Sequence, residues 1–359
     1  SIGMECAGRV VAAGSGTAGL AVGDRVYASA AGTLRAYLTV DAGQVVRLPE
    51  AVSLEAGASL VNFCTVYHAF VEVARLRRGE TVLVHGASGG VGLAAIEVAR
   101  WLGAEIIATA GTEAKRQLLR AEGVNRVAHS RDTSFHDDVM RWTGGRGVDV
   151  VLNFTPGDVM LRSLSCLARF GRFVEIGKAA FDQDLALPLR AFNEGLAFTA
   201  IDFDRMTRHK PAEVRVIAER VLAHLAAGDF APTRSQRYAP AQAADAFRTL
   251  ARGEHVGKVV IDLRARPDDP TFKVRCAPAA TIDPAATYLV TGGLGGFGLE
   301  VARGLVARGA RHLALLSRQG SATPGAAEQL ADWATQGVQA RAFATDVADR
   351  KAMSATLRA

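Results

Sequence analysis

Cysteine is scarce in this sequence: Cys6, Cys64, Cys166 and Cys276 lie far apart, and no pair is spaced C-x-x-C. That excludes a zinc ribbon, argues against a disulfide framework and suits a reducing cytoplasm. Long apolar runs are missing as well. The most hydrophobic stretch, Val91 to Ala110, is interrupted by Glu97, Arg100 and Glu105, so no membrane span is expected. Aromatic residues reach only 6%, and the basic residues behind the net charge of +6 are dispersed. A stacking surface for nucleic acid is therefore not expected, whereas phosphorylated cofactors remain natural anionic ligands. The chain opens on Ser1 with no methionine and no basic-then-apolar leader. No secretory signal is visible, and the expectation is a piece of a longer polypeptide.

What is present is 359 residues, 49% apolar and 22% charged, the balance of a globular protein with a sizeable core and two to three domains. The first fifty residues read as short strands, "GRVVAAGSG", "GDRVYAS" and "RAYLTVDAGQVVRLP", punctuated about every eight to twelve residues as in a small barrel. Strand–helix alternation follows. "TVLVHG" is a buried strand; Val91 to Leu102 is a helix with Val91, Ala94, Ala95, Val98 and Leu102 on one face. "EIIATAG", a helix from Glu113 to Ala121, "RVAHS", a helix near Asp137 to Trp142, "VDVVLNF", a helix near Val159 to Ala168 and "RFVEIG" continue the series. Repeated β-α units of this length predict an α/β fold with a doubly wound parallel sheet. A helix from Pro211 to about Ala227 precedes a strand–helix–strand return over 230–263. Residues 264–286 hold four prolines and read as a linker; 287–359 open a second β-α-β unit.

Two glycine-rich turns each follow a strand and open a helix. The first is Gly86-Ala87-Ser88-Gly89-Gly90-Val91-Gly92. Its glycines permit a tight turn, bring backbone N–H groups to a pyrophosphate and let the helix pack closely on the sheet. The next strand ends at Thr112, Lys115 and Arg116 rather than at an acid. Cations there attract a ribose 2′-phosphate, and Arg131 in "HSRDTSF" is placed to reach the same group, so the expected cofactor is NADPH. Solvated helix surface is the plain alternative for Lys115 and Arg116.

"GMECAGRV", "GDRVYA", "VLVHGASGGVG", "TAGTEAKR", "HSRDTSF", "GVDVVLNF", "GRFVEIGK" and "HVGKVVIDL" occur in this order. Over residues 1–263 the chain thereby resembles the medium-chain dehydrogenase/reductase family, and within it the enoyl reductase domains of polyketide synthases and animal-type fatty acid synthase. The tail "TYLVTGGLGGFGLEVARGLVARGARHLALLSRQG" resembles the start of a polyketide synthase ketoreductase, a short-chain dehydrogenase. The resemblance implies a partial GroES-like substrate barrel over 1–55, completed by about 230–263, and an NADPH-binding Rossmann domain over 56–229. A linker over 264–286 then leads to a second, partial Rossmann unit over 287–359. In that unit Thr291, Gly292, Gly296 and Gly298 form the fingerprint, Ser317 and Arg318 again point to NADPH, and Asp346 lies near the adenine. This second part is expected to be inactive as it stands.

Zinc members of the wider family read G-H-E in the first barrel, where this chain has Gly3-Met4-Glu5; no metal is expected. The resemblance implies hydride transfer from NADPH to the β-carbon of an enoyl thioester and protonation at the α-carbon. Lys178 is the implied proton donor, with Asp204 matching the acidic partner of animal fatty acid synthase and Asp202 that of bacterial modular synthases. Ordinary surface charges, or protonation by solvent, are the alternatives. Thr65, Asn153 and Gly177 belong with the nicotinamide end, and Gly257 with Lys258 to the closing strand near the cofactor; a core hydroxyl is the alternative for Thr65. His85 reads as structural, His68 and Cys64 as core or cleft lining. The implied partners are an acyl carrier protein bearing the enoyl group on phosphopantetheine and neighbouring synthase domains. A homodimer is admitted, and nucleic acid and membrane are not partners. A stand-alone zinc-free quinone or alkenal reductase and a non-catalytic NADPH-binding scaffold are the rival readings.

Overall fold

The computed structural model describes residues 2–15, 17, 19–179, 186–263 and 282–358. Most of the expected linker, with Cys276, lies outside the described residues. The chain divides into two compact units, residues 1–272 and 273–359.

The first unit is built on a six-stranded parallel sheet. Its strands are β4 (Thr81–Val84), β5 (Glu105–Ala110), β6 (Arg126–His129), β7 (Val148–Asn153), β8 (Leu167–Glu175) and β9 (Ala197–Ala200). They lie in the order β6-β5-β4-β7-β8-β9. The chain runs outward from β4 to β6, then returns to β7 and proceeds the other way. The carboxyl ends of β4 and β7 therefore flank the switch point at which open α/β sheets bind ligands. Central strands covered on both faces must be apolar throughout, and all four residues of β4 are buried. The helix Gly90–Leu102 ends on Gly103, whose φ of +74° closes the last turn. Its face of Leu93, Ala94, Ile96 and Val98 joins Phe63, Phe70 and Val84 in the main core. Each such fully buried side chain contributes about 1.5–3 kcal/mol.

A separate antiparallel sheet joins β1 (Glu5–Arg9), β2 (Arg25–Ser29) and β3 (Val45–Arg47). The strand expected from Arg35 onward is reduced to β3. Residues 35–40 are irregular, and Tyr37 is 76% exposed. The apolar pattern is there, but a strand needs a neighbour's backbone, and among the described residues none pairs with this stretch. The helix expected to reach Ala168 ends at Leu164, because Leu167 already pairs with Val148 ahead of a register shift in β8. Near the end of the unit β10 (Ser235–Tyr238) and β11 (Lys258–Ile261) pair in parallel.

In the second unit β12 (Thr287–Thr291), β13 (His312–Ser317) and β14 (Gln339–Ala344) form a parallel sheet in that order. Leu294, Ala302, Leu315 and Trp333 fill its core. The fold is thus α/β, with a doubly wound sheet and a second, partial parallel sheet. Among the described residues no helix is long and apolar enough to cross a membrane.

Candidate active site

The first glycine-rich turn closes with little room to spare. A Cβ on Gly92 would fall 2.4 Å from the Ala87 Cα, so a side chain here would push the helix off the strand. A Cβ on Gly90 would fall 2.4 Å from the Asn62 Nδ2, which is buried and has no hydrogen-bond partner among the described residues. Within the turn, the N–H of Gly86 donates to the Thr109 Oγ1 at 3.2 Å and that of Ala87 to the Thr109 carbonyl at 2.9 Å. The Gly257 N–H donates to the Ser88 carbonyl at 2.8 Å, and Gly89 bridges Gly257, so the loop before β11 braces the turn from behind. The first N–H groups of the helix, from Gly90 to Gly92, have no intrahelical acceptor and present partial positive charge. Such a cradle fits a pyrophosphate, and the orphaned Asn62 amide adds a donor beside it.

Beyond β5 the cations divide into two kinds. Lys115 donates to the Gly253 carbonyl at 2.6 Å, which carries its ammonium toward the loop holding His255. Burial, then the charge of Arg131, lowers the Lys115 pKa; burial, then Lys115, lowers that of His255. Arg131 makes no ion pair with the described residues, and Glu254 is the one acid acting on Lys115. The His255 Nε2 stands 4.0 Å from the position a Gly89 Cβ would take. The charge of Arg131 thus bears on Lys115 and that of Lys115 on His255, and a run of basic groups beside a phosphate cradle suits a further anion. Arg116 is of the other kind: it is held by Glu113 at 2.7 Å and donates to the Ala110 carbonyl at 3.2 Å. Thr112 caps its helix by accepting from the Lys115 N–H.

At the other side of the switch point, Lys178 follows β8 and reaches both acids expected of it. Its Nζ lies 3.2 Å from Asp202 Oδ1 and 3.2 Å from Asp204 Oδ2. Partial burial opposes the charge, but the hydrogen bonds and charges of the two carboxylates together raise the pKa above the ordinary lysine value. Asp202 caps the helix Phe203–His209 through the Arg205 N–H, while Asp204 also holds Arg208 at 2.7 Å. Lys178 is thus a protonated, oriented donor with a half-exposed side chain.

Several expected contacts are turned elsewhere. Asn153 is fully buried, its amide donating to the Thr155 carbonyl at 3.0 Å and to Glu175, and its Oδ1 accepting from the Thr155 N–H. Thr65 donates to the Val61 carbonyl of its own helix at 2.8 Å. Lys258 is tied to Glu5, linking β11 to β1. His85 is buried between Thr109 and Ser163, with burial lowering its pKa to about 4; it is a neutral core residue. Glu175 and His255 are the site residues the motifs did not single out. Glu175 sits inside "EIGK" and His255 two positions before "GK", where only neighbours remote in sequence make them noticeable.

A cleft of about 1810 Å³ opens between β1–β3 and the β11 side, lined by Met4, Tyr37, Asn62, Val91, His255 and Lys258 among others. It reaches the glycine-rich turn but not Lys178. Among the described residues no group of three or more His, Cys, Asp or Glu could hold a metal ion. In the second unit, a Cβ on Gly298 would come 2.2 Å from the Gly292 carbonyl. Thr291 ends β12, Gly296 starts the helix, Ser317 contacts Thr323 at 2.9 Å, Arg318 follows β13, and Asp346 accepts from the Ala348 N–H.

Residues 1–50 match the alcohol dehydrogenase GroES-like domain, 90–216 the zinc-binding dehydrogenase family and 286–359 the KR domain. The reducing polyketide synthase FUB1 of Gibberella moniliformis is 42% identical over 356 residues, which are 98% of this chain and 15% of that protein. The structure of CurK enoyl reductase superposes with a TM-score of 0.67 at 31% identity, covering 73% of this chain and 79% of that one. That of Escherichia coli quinone oxidoreductase complexed with NADPH gives 0.65 at 28% identity, over 72% and 81%. Fold and turn together define a medium-chain dehydrogenase/reductase followed by part of a KR domain. Over its first unit the chain belongs to the enoyl reductase family of CurK, as its motifs lead one to expect, and the chain spans 15% of the length of the reducing polyketide synthase it matches.

Proposed function

We propose that residues 1–263 reduce the α,β double bond of an enoyl thioester presented on the phosphopantetheine of an acyl carrier protein, inside a cytoplasmic multidomain synthase. NADPH, when bound, supplies the hydride that adds to the β-carbon. The Gly90–Gly92 amides and Asn62 hold its pyrophosphate, and Lys115, Arg131 and His255 select the 2′-phosphate; Arg116 supports the helix instead. As negative charge develops on the thioester enolate, Lys178 stabilises it and passes its Nζ proton to the α-carbon, then recovers a proton from water. Asp202 and Asp204 aim the ammonium and keep it charged. No covalent nucleophile is needed.

The observation that carries this reading is Lys178 held by two carboxylates on the carboxyl edge of the sheet whose first turn forms the phosphate cradle. The test is the intact synthase with NADPH and a crotonyl thioester of pantetheine, followed by loss of nicotinamide absorbance. Turnover is expected, with kcat falling about a hundredfold in Lys178→Ala. Turnover of a quinone but not the thioester would assign the chain to quinone reduction instead. NADPH binding without turnover of either would make it a scaffold.

A further inference from the structure

Glu175 is 1% exposed, and among the described residues no other Asp or Glu is buried to that degree. It ends β8, in register with Asn153 of β7 and Ala200 of β9. Its Oε2 accepts from the Asn153 amide, and its Oε1 accepts from the Gly177 N–H at 2.6 Å. Its backbone carbonyl accepts from the Ile201 N–H at 2.8 Å, one residue before Asp202. A side chain on Gly177 has no space: its Cβ would lie 2.8 Å from Glu175 Oε1 and 2.7 Å from the Phe154 carbonyl. The strand ends that flank the cofactor position, the loop that bears Lys178 and the strand that leads to Asp202 are therefore all rooted in one residue.

We propose that Glu175 is a positioning residue for enoyl reduction, its two carboxylate oxygens clamping Asn153 and the Gly177–Lys178 loop so that the proton donor is held at a set distance from the cofactor edge. This rests on the function proposed above. An ionised carboxylate receives both N–H donors at full strength. Protonation makes one oxygen a donor and a much weaker acceptor, and a glutamine turns an amide hydrogen against Asn153 or Gly177, so either change loosens one side of the clamp. Burial pushes the Glu175 carboxyl up to about 7, against the hydrogen bonds from Asn153, Gly177 and Ile176. The register neighbours Asn153 and Ala200 carry no charge. The charged groups nearby in the chain are Lys178 on its own loop and Asp202 and Asp204 beyond β9, which hold one another. The clamp should therefore engage as pH rises through neutrality.

The test uses the intact synthase carrying Glu175→Gln. We expect kcat with crotonyl-pantetheine to fall about tenfold to a hundredfold with a smaller change in KM, as misplaced catalytic groups do. The acid limb near pH 7 in the wild-type kcat profile should disappear in this variant. Amide hydrogen exchange of the peptide spanning Ile176–Lys178, measured without cofactor, should lose protection in the variant. Adding Asn153→Asp, which supplies a carboxylate to accept from the new amide, should restore part of kcat and of the protection. If Glu175→Gln fails to fold, the wild-type profile and the rescued double variant still decide. Unchanged kcat and pH profile in Glu175→Gln, or lost protection with unchanged kcat, overturns the proposal. A wild-type enzyme that turns over no enoyl thioester sinks the proposed function instead, and the exchange data then show separately whether the clamp exists.

Discussion

The two glycine-rich turns of this chain obey one local rule and differ in everything around it. In both, the last glycine is required because a Cβ would strike the start of the turn: Ala87 for Gly92, the Gly292 carbonyl for Gly298. In the first unit the turn is braced by Gly257, hemmed in by Asn62 and faced by Lys115, Arg131 and His255. In the second, Cβ atoms on Gly292, Gly295 or Gly296 would meet nothing within 4 Å, and Phe297 is 85% exposed. The turn makes a phosphate approach sterically feasible. Charges and donors brought from distant segments decide which phosphate stays and how tightly.

The sharpest break in the comparison should come from a crowded glycine of the first turn set against an open one of the second. Gly92→Ala forces backbone apart and is expected to destabilise the first unit by about 3 kcal/mol or more and to abolish NADPH binding. Gly295→Ala, with open space and an extended φ of −160° at that position, should change stability by under about 0.5 kcal/mol. Thermal unfolding together with NADPH titration would separate the two.

A second contrast is in pH dependence. The first unit buries His85 and Glu175, whereas no ionisable side chain is buried among the described residues of the second. His85, lowered to about 4, contributes stability present above its ordinary pKa of 6.5 and lost as pH falls toward 4. Glu175, raised to about 7 from 4.5, works the other way: its favourable contribution is present below pH 4.5 and lost as pH rises to 7. Relative to wild type, Glu175→Gln should thus gain stability between pH 4.5 and 7, by up to about 3 kcal/mol less the clamp it gives up. Denaturant unfolding at each pH would check this, and a pH-independent difference would count against the upward shift of the Glu175 carboxyl.

Smaller effects sharpen the cofactor assignment. Lys115→Met or Arg131→Met should weaken NADPH binding about tenfold to a hundredfold, the worth of one charge-assisted hydrogen bond, and leave NADH unchanged. Arg116→Met, which removes a bond to Glu113, should alter NADPH affinity less than about threefold. Calorimetry with both nucleotides decides; NADH bound as tightly as NADPH in the wild type would remove the basis for the phosphate assignment. The least effect is expected from Thr65→Val, whose hydroxyl serves only Val61: under about 1 kcal/mol in stability and no loss of NADPH affinity.

Most of the architecture was legible in the residues themselves. The apolar run of β4, the helix Gly90–Leu102 and the helix Pro211–Ala227 declare themselves through periodicity and glycine or proline punctuation, which depend on a few adjacent residues. The strand read into residues 35–40 failed because a strand needs a partner that local pattern cannot supply. The glycines of both turns were readable for the same local reason, and Lys178 with its two acids through a family pattern. Only the folded chain shows that Arg116 is committed to Glu113, that Asn153 faces inward, and that His255 stands beside Gly89. Burial of Glu175 and its grip on Gly177 arise from register between strands far apart in sequence. Conformational preference is a property of neighbouring residues, whereas charge, solvation and hydrogen-bond partnership are set by whatever the fold brings within a few ångströms; the sequence determined the first and the tertiary structure decided the second.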